Sequence, residues 1–189
     1  VGAIKGVILD ADGTTELYDL FTEFGITQTE VDFNLNTTTT DVRAVCVGVV
    51  RSIEDALGNT PMTGVHCLCG SDFFDALISH TLVKTAYERW ENGAALRDDL
   101  RKGFTLGGVT FEEYRASDDT VSYIDAEEAH FFPIGVPKLF RTFYAPADYI
   151  ETVNTIGLPF YAKRETAKFG KGMELEVQSN PLPMCVRPG

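Results

Sequence analysis

Two aspartates placed two residues apart have the types and spacing of a phosphoryl-transfer site. Asp10 and Asp12 stand in the run Asp10-Ala11-Asp12-Gly13-Thr14, directly after the apolar stretch VGAIKGVIL. Beyond the end of a strand, the first carboxylate of such a pair can act as nucleophile and the second as general acid and base. A Mg²⁺ ion would have to be held beside them by further carboxylates. The spacing therefore predicts a phosphatase as one candidate function.

The pattern is the one used by haloacid-dehalogenase-type phosphatases, but its other parts are weak in this chain. Residues 70–75, the candidate for the downstream serine, have the pattern of a helix start, and the acidic pair Asp118-Asp119 follows no apolar strand. Asp-Gly between two strand-like runs is also the strongest short-range signal for a hairpin. We therefore favour a hairpin turn at Asp10 and Asp12 and keep the Mg²⁺-dependent phosphatase as the alternative.

Histidine and cysteine residues do not combine into a second candidate site. In a strand over residues 62–70, Cys67 and Cys69 share one face while His66 points to the other. No further Cys/His pair stands at the spacing of a zinc site. His80 lies between two predicted helices with no nucleophile motif and is interpreted as a capping or surface residue. The sequence predicts no catalytic residue, no metal and no cofactor.

Composition limits the classes of function. The chain has 189 residues, a net charge of −12 and a pI near 4.6, so it lacks the basic footprint of a nucleic-acid-binding protein. Its four cysteines are too few and too irregular for a secreted disulfide framework, which favours a reducing cytoplasm. No apolar run approaches the roughly 20 residues of a membrane span. We expect a soluble protein without specific nucleic-acid binding.

The remaining patterns predict strands at both ends and helices in the middle. Residues 41–57 repeat apolar positions at helical spacing and end at Gly58. The threonines at 37–40 can supply the N-cap of this helix. A helix capped by Ser71 is predicted over 71–79 and another over 80–90, with a short charged helix or loop over 95–101. Strands are predicted at residues 26–36, 62–70, 104–106, 109–114, 149–156, 160–165 and 173–178, with a turn at 180–183. Gly107-Gly108 is predicted to join the third and fourth of these strands as a hairpin, and Pro133 and Pro137 to break regular structure.

Aromatic and basic residues gather in the last fifty positions. Between Met173 and Gln178, apolar residues alternate with Glu174, Glu176 and Gln178, which places the apolar set on one face of a sheet. Most of the aromatics are expected in the core and some at contacts between subunits. A basic cluster is formed by Lys163, Arg164, Lys168 and Lys171. It is either a solvated loop or a contact with an acidic neighbouring subunit. The candidate assembly contacts are Phe143, Tyr144, Tyr149, Lys163, Arg164 and Lys168.

The same region carries a family resemblance. The run APADYIETVNTIGLPFYAK, the later QSNPLP and the preceding EEAHFFPIGVPKLFRTFYAPAD resemble the C-terminal signature of the major capsid protein E family of lambda-like tailed phages. The resemblance covers the whole chain and is most specific between Glu128 and Pro183.

This resemblance implies an α+β fold of the Hong Kong 97 type. Residues 1–38 and 162–189 would form a sheet-rich peripheral subdomain, and residues 39–161 an axial subdomain of helices around a sheet. The family's proteins are longer at the N-terminus, so the N-terminal part is expected to be missing. The first few residues would be the end of the family's long spine helix, and the fragment alone is expected to fold without building shells.

The implied function is structural. Many copies, arranged as pentamers and hexamers, would form an icosahedral head around double-stranded DNA, assembled in the bacterial host cytoplasm and found in the virion capsid. Scaffold, portal and decoration proteins would be further partners. The resemblance implies no enzyme activity. A head or tail interaction module of another kind remains a third possibility.

Overall fold

The computed structural model describes residues 2–10, 12–90, 101, 103–118 and 121–187. Four α-helices and twelve strands lie within these residues. The helices are α1 (Leu20–Phe24), α2 (Val42–Leu57), α3 (Ser71–Ser79) and α4 (Thr81–Trp90). The strands are β1 (Val7–Leu9), β2 (Glu16–Asp19), β3 (Gly64–Cys69), β4 (Phe104–Leu106), β5 (Val109–Glu113), β6 (Ser117–Asp118), β7 (Val121–Ser122), β8 (Ala129–Ile134), β9 (Phe140–Tyr144), β10 (Tyr161–Thr166), β11 (Met173–Gln178) and β12 (Pro181–Cys185).

A four-stranded mixed sheet in the order β4-β5-β3-β8 carries the core. β3 runs parallel to β5 and antiparallel to β8. The side chains of Val65, Cys67 and Cys69 alternate into the interior and are almost completely buried, as the period of two in a strand requires. They pack with Phe111 of β5 and with the buried faces of the helices. The predicted separation of His66 from the two cysteines is thereby confirmed.

Helix α2 covers the sheet with the stripe that its sequence predicts. Val42, Cys46 and Val49 are buried at steps of four and three residues, which is one face of an α-helix. Asp41, rather than a residue of the preceding threonine run, caps the helix by accepting a hydrogen bond from the Ala44 N–H. Gly58 ends the helix at φ 58°, a value that favours glycine.

Helix α3 begins against the turn that leads into β8. Its N-cap is Gly70, not Ser71, and the cap makes no side-chain hydrogen bond. A Cβ atom at Gly70 would lie 2.1 Å from the carbonyl oxygen of Asp125, so the close approach of two backbones requires glycine here. The N–H groups of Asp72 and Phe73 donate to the carbonyl of Ala126, which satisfies the helix end in place of a capping side chain.

The other strands form two-stranded sheets. β1 pairs with β2, β6 with β7, β9 with β12, and β10 with β11, all antiparallel. The predicted hairpins at the Asp10–Asp12 pair and at Gly107-Gly108 are confirmed. The strands predicted at 160–165 and 173–178 are also present, and they pair with each other as β10 and β11. None of the helices within the described residues is both long and apolar enough to cross a membrane.

Five predictions differ from the structure. Residues 2–5 form turns rather than the end of a spine helix, and the connection between β1 and β2 is a six-residue loop, not a two-residue turn. The predicted strand over 26–36 has no strand conformation, and the one over 149–156 is replaced by turns with a 3₁₀ segment at Ile150–Thr152. The predicted turn at 180–183 is β12. The prediction for residues 95–100 lies outside the described residues.

Pro133 lies inside a strand although its sequence indicated a break. It belongs to β8, opposite Val65 of β3. β8 is an edge strand of the sheet, where a residue without an N–H group loses no ladder hydrogen bond when it faces outward. The edge position therefore tolerates the proline.

Candidate assembly surface

Asp12 is a turn residue whose carboxylate is fully occupied by its own loop. It accepts hydrogen bonds from the backbone N–H groups of Thr14 at 2.9 Å and Thr15 at 2.8 Å, and from the Thr15 hydroxyl. These bonds, the Thr15 hydroxyl above all, lower the pKa of Asp12 to about 2. A general acid near neutral pH needs a pKa raised toward 7. The pKa of this carboxylate is shifted in the opposite direction.

Asp10 closes the same loop through its backbone. Its N–H donates to the carbonyl of Thr15 at 2.8 Å, and its carbonyl accepts from the N–H of Gly13 at 3.0 Å. Among the residues that the structure describes, no group of three or more His, Cys, Asp or Glu side chains could hold a metal ion. The geometry thus supports the hairpin interpretation of the Asp10–Asp12 pair.

The histidines and cysteines of the core have structural partners. His66 Nε2 lies 3.0 Å from a carboxylate oxygen of Glu112, on the face of β3 away from the cysteines. Burial raises the pKa of the Cys67 thiol well above its usual value, which keeps the sulfur protonated and unreactive. His80 is the C-cap of α3, where its backbone N–H donates to the carbonyl of Leu77, so the capping interpretation is confirmed. It is 5% exposed and therefore not a surface residue, and its Nε2 lies 3.0 Å from the carbonyl oxygen of Thr37. That contact attaches the 34–40 loop to the junction of α3 and α4.

Two of the six candidate assembly residues meet at the base of the β10–β11 hairpin. Lys163 Nζ lies 2.9 Å from Glu151 Oε1 and 4.9 Å from the centre of the Tyr149 ring. The hydrogen bond from Lys163 lowers the pKa of Glu151, and the same bond raises the pKa of Lys163. Loss of solvent around the Tyr149 hydroxyl, with the carboxylates of Glu176 and Asp148 nearby, raises the pKa of Tyr149. These contacts hold one face of the hairpin against residues 148–151.

The register of β10 and β11 divides the hairpin into two unlike faces. Lys163 lies opposite Glu176 and Glu165 opposite Glu174; these four residues form a charged face, which we call the inner face because it meets Glu151 and Tyr149. Directly opposed pairs share a face in an antiparallel sheet, so the second set of pairs forms the outer face. The outer face consists of Ala162, Arg164, Thr166, Met173, Leu175 and Val177.

The outer face is apolar and exposed to solvent. Met173 is 75% exposed, Leu175 74% and Val177 63%. Arg164 is exposed among them, and Lys168 is exposed at the hairpin tip. A patch of large apolar side chains of this kind marks an interaction surface in a folded protein.

The remaining candidates, Phe143 and Tyr144, lie apart from the hairpin on β9. They are 44% and 36% exposed and pair with Leu182 and Pro181 of β12. The loop that leads to the hairpin contacts β9 at Gly157. A Cβ atom there would lie 1.9 Å from the carbonyl oxygen of Tyr144. The structure therefore unites Tyr149 with Lys163, places Arg164 and Lys168 on the outer side and tip of the hairpin, and leaves Phe143 and Tyr144 on a neighbouring sheet.

Sequence reasoning missed six further exposed apolar residues of this region. They belong to the loop between β9 and β10 and to the hairpin tip, and are Ile150, Val153, Ile156, Leu158, Phe160 and Phe169, with exposures from 55% to 92%. Their apolar character is visible in the sequence, but without a strand or helix period nothing in it indicates which way they point.

Comparisons with known proteins identify the family of the chain. The model of the family "Phage major capsid protein E" matches residues 1–189. The chain belongs to this family of phage capsid proteins. One relative, the major capsid protein of Pseudomonas phage KPP10, is 33% identical over 188 residues, which cover 90% of this chain and 54% of the relative. Another, the major capsid protein of Salmonella phage Felix O1 (isolate Felix O1-VT1), is 28% identical over 221 residues, which cover 98% of this chain and 60% of the relative.

The chain thus spans 54% and 60% of the length of the two relatives. The family and both relatives are named as capsid proteins, and nothing in these comparisons supports the phosphatase alternative. The mixed α and β content of the structure is consistent with the family.

Proposed function

We propose that this chain is a structural subunit of an icosahedral phage head that encloses double-stranded DNA. The observation that carries the proposal is the surface between residues 140 and 177. Apolar side chains exposed by half or more crowd this region while the core lies elsewhere. A protein that works as a monomer gains nothing from such exposure, whereas a subunit of a shell buries it against neighbours.

The subunits associate into pentamers and hexamers, and the virion capsid is the location of the assembled protein. Assembly takes place in the cytoplasm of the bacterial host, with a scaffold, a portal and a decoration protein as further partners. The net charge of −12 suits a shell protein that faces packaged DNA without binding it tightly, because tight binding to phosphates requires a basic surface.

The fold is of the Hong Kong 97 type, with a peripheral subdomain at residues 1–38 and 162–189 and an axial one at 39–161. Support comes from the distribution of elements. The four-stranded sheet and helices α2, α3 and α4 all fall between Val42 and Ile134. The β1–β2 and β10–β11 hairpins fall outside that stretch. The six candidate residues named above are assembly contacts in this arrangement.

The test is quantitative mass spectrometry of DNA-filled heads, purified from cells infected by phage that encodes the chain. The expected result is that peptides of this chain dominate the particle and outnumber those of every other head protein. A chain found in a few copies per head would contradict a shell role and favour a head or tail interaction module. Electron microscopy of the isolated 189-residue chain is expected to show no closed shells.

A further inference from the structure

The outer face of the β10–β11 hairpin has the charge and polarity of one half of an interface. Besides its apolar residues, it carries one charged group, Arg164. Two more cations, Lys168 and Lys171, stand in the six-residue tip between the strands, which contains no carboxylate. Within the described part of the chain, no carboxylate forms a salt bridge with Arg164. The outer face and tip together are therefore apolar and positively charged, on a chain whose net charge is −12.

A second patch on the same chain has the complementary character. Residues 12–24 hold four carboxylates, those of Asp12, Glu16, Asp19 and Glu23, and no lysine or arginine. Leu17, Tyr18 and Phe24 are 51%, 56% and 47% exposed in the same stretch. The register of β1 and β2 shifts at Leu17, because Ile8 pairs with Tyr18 and Leu9 with Glu16. Such a bulge turns a side chain out of the regular strand pattern. We call residues 12–24 the acidic patch.

Both surfaces belong to two-stranded sheets, which are marginally stable when nothing covers them. Each sheet also has outer strand edges without a partner strand among the described residues. Six residues of β11 extend for about 20 Å, long enough to lie across β2 and the start of α1. Two copies that each carry a net charge of −12 repel one another unless a local pair of opposite patches brings them together.

We propose that the outer face of the β10–β11 hairpin of one copy binds the acidic patch of a second copy. Arg164 and the tip lysines face the carboxylates of Glu16 and Glu23, while Leu175 and Val177 pack against Leu17 and Tyr18. The contact joins two different surfaces, so it is head-to-tail and closes into rings when the rotation allows. The proposal relies on the proposed function for the identity of the partner as a second copy.

Charge reversal tests the pairing directly. The self-association of the 189-residue chain is measured by sedimentation velocity over a concentration series. Arg164→Glu and Glu16→Arg are each expected to weaken association by about tenfold or more, because like charges then face one another. The double variant is expected to recover most of the loss. Arg51→Glu and Glu30→Arg are matched controls at exposed positions outside both patches, and they are expected to leave association unchanged.

Three outcomes would overturn the proposal. One is a wild-type chain that stays monomeric, which would assign the outer face to another protein or another part of the polypeptide. A second is a double variant no tighter than the weaker single variant. The third is controls that weaken association equally, which would show a general charge effect. None of these results touches the composition of purified heads, so the proposed function would stand or fall separately.

A cross-linking experiment covers the case in which a charge reversal disturbs the hairpin. Leu17→Cys and Val177→Cys are made in a Cys185→Ser background; the other cysteines, Cys46, Cys67 and Cys69, are buried. With a short bismaleimide, a mixture of the two variants is expected to give heterodimers in large excess over either variant alone. Equal cross-linking in all three samples, or none, would contradict the head-to-tail contact.

Discussion

Two strands with the same alternation of apolar residues differ in whether their apolar face is buried or exposed. In β3, the alternate residues Val65, Cys67 and Cys69 are buried to 2% exposure or less. In β11, the alternate residues Met173, Leu175 and Val177 are 63% to 75% exposed. The core sheet turns its apolar face toward α2 and α3, whereas the β10–β11 hairpin turns its charged face toward its own chain.

This difference shows what the period of two in a sequence establishes. Alternation defines a strand and its two faces, but it does not say which face meets the rest of the same chain. In the hairpin, the Lys163–Glu151 pair and the ring of Tyr149 occupy the inner side, so the apolar side is left exposed to solvent.

The largest contrast is expected between two identical truncations. Leu77 is 0% exposed in the core and Leu175 is 74% exposed on the outer face. Leu77→Ala should lower the free energy of unfolding by about 2–5 kcal/mol, because it leaves a cavity. Leu175→Ala should change it by less than about 0.5 kcal/mol. Urea unfolding of the isolated chain measures both, and equal losses would mean that the outer face is packed within the monomer.

A second contrast compares two glycines that touch backbone. An added Cβ would lie 2.1 Å from Asp125 O at Gly70 and 1.9 Å from Tyr144 O at Gly157. Gly70→Ala should cost about 1–3 kcal/mol of global stability, because the core has no room to shift. Gly157→Ala should instead release its exposed loop, seen as faster proteolysis within residues 150–160 with little change in the unfolding midpoint. Gly48→Ala is the control, since nothing lies within 4 Å of its Cβ.

On acidification, the core sheet should lose stability at a higher pH than the β1–β2 hairpin. Burial lowers the pKa of His130 below its ordinary value of 6.5. A histidine with a lowered pKa contributes stability that is complete above the unfolded value and is lost as pH falls through the folded one. Stability should therefore decline below pH 6.5, and His130→Gln should flatten the decline. The pKa of Asp12 is lowered from 3.8 to about 2, so the stability that its carboxylate contributes is lost only in stronger acid. A thermal melt series across pH checks the order, and an identical decline in His130→Gln would contradict it.

The smallest effect is expected within the inner face itself. Glu165 and Glu174 stand directly opposite each other, and facing like charges destabilise a sheet. Glu174→Lys should strengthen the hairpin by about 0.2–1 kcal/mol. Slower amide exchange in β10 and β11 is the measurement. Glu127→Lys, an exposed change of the same charge outside the hairpin, is the control and should leave the exchange of these strands unaltered.

Elements with both a period and a stop signal were predictable from the sequence. Helix α2 follows from its apolar steps and Gly58, and β11 from its alternation. The strand predicted at residues 26–36 was wrong because side-chain hydrogen bonds compete with the ladder. The Asp32 carboxylate accepts from the Asn34 N–H at 2.8 Å, and Asn34 has φ 45°. Phe33 is nevertheless buried in the core, as its apolar character indicates.

Prolines misled the prediction where the strand lies at an edge. Pro181 and Pro183 indicated a turn, yet both lie in β12 opposite Tyr144 and Thr142. Two residues apart, they direct their nitrogens to the same side of the strand, and a two-stranded sheet leaves that side without a partner. Which strand pairs with which is a long-range property that local patterns do not contain. The candidate assembly residues were found in the sequence by residue type, but their division between inner and outer faces required the register.

Hydrogen–deuterium exchange of the isolated chain and of assembled heads is the most direct test of the central claim. If neighbours cover the exposed surface in the shell, peptides spanning residues 150–178 should be strongly protected in heads. Peptides from β3 and β5 should exchange at the same slow rate in both samples. Equal exchange of residues 150–178 in the two samples would contradict the claim that this surface is an assembly contact.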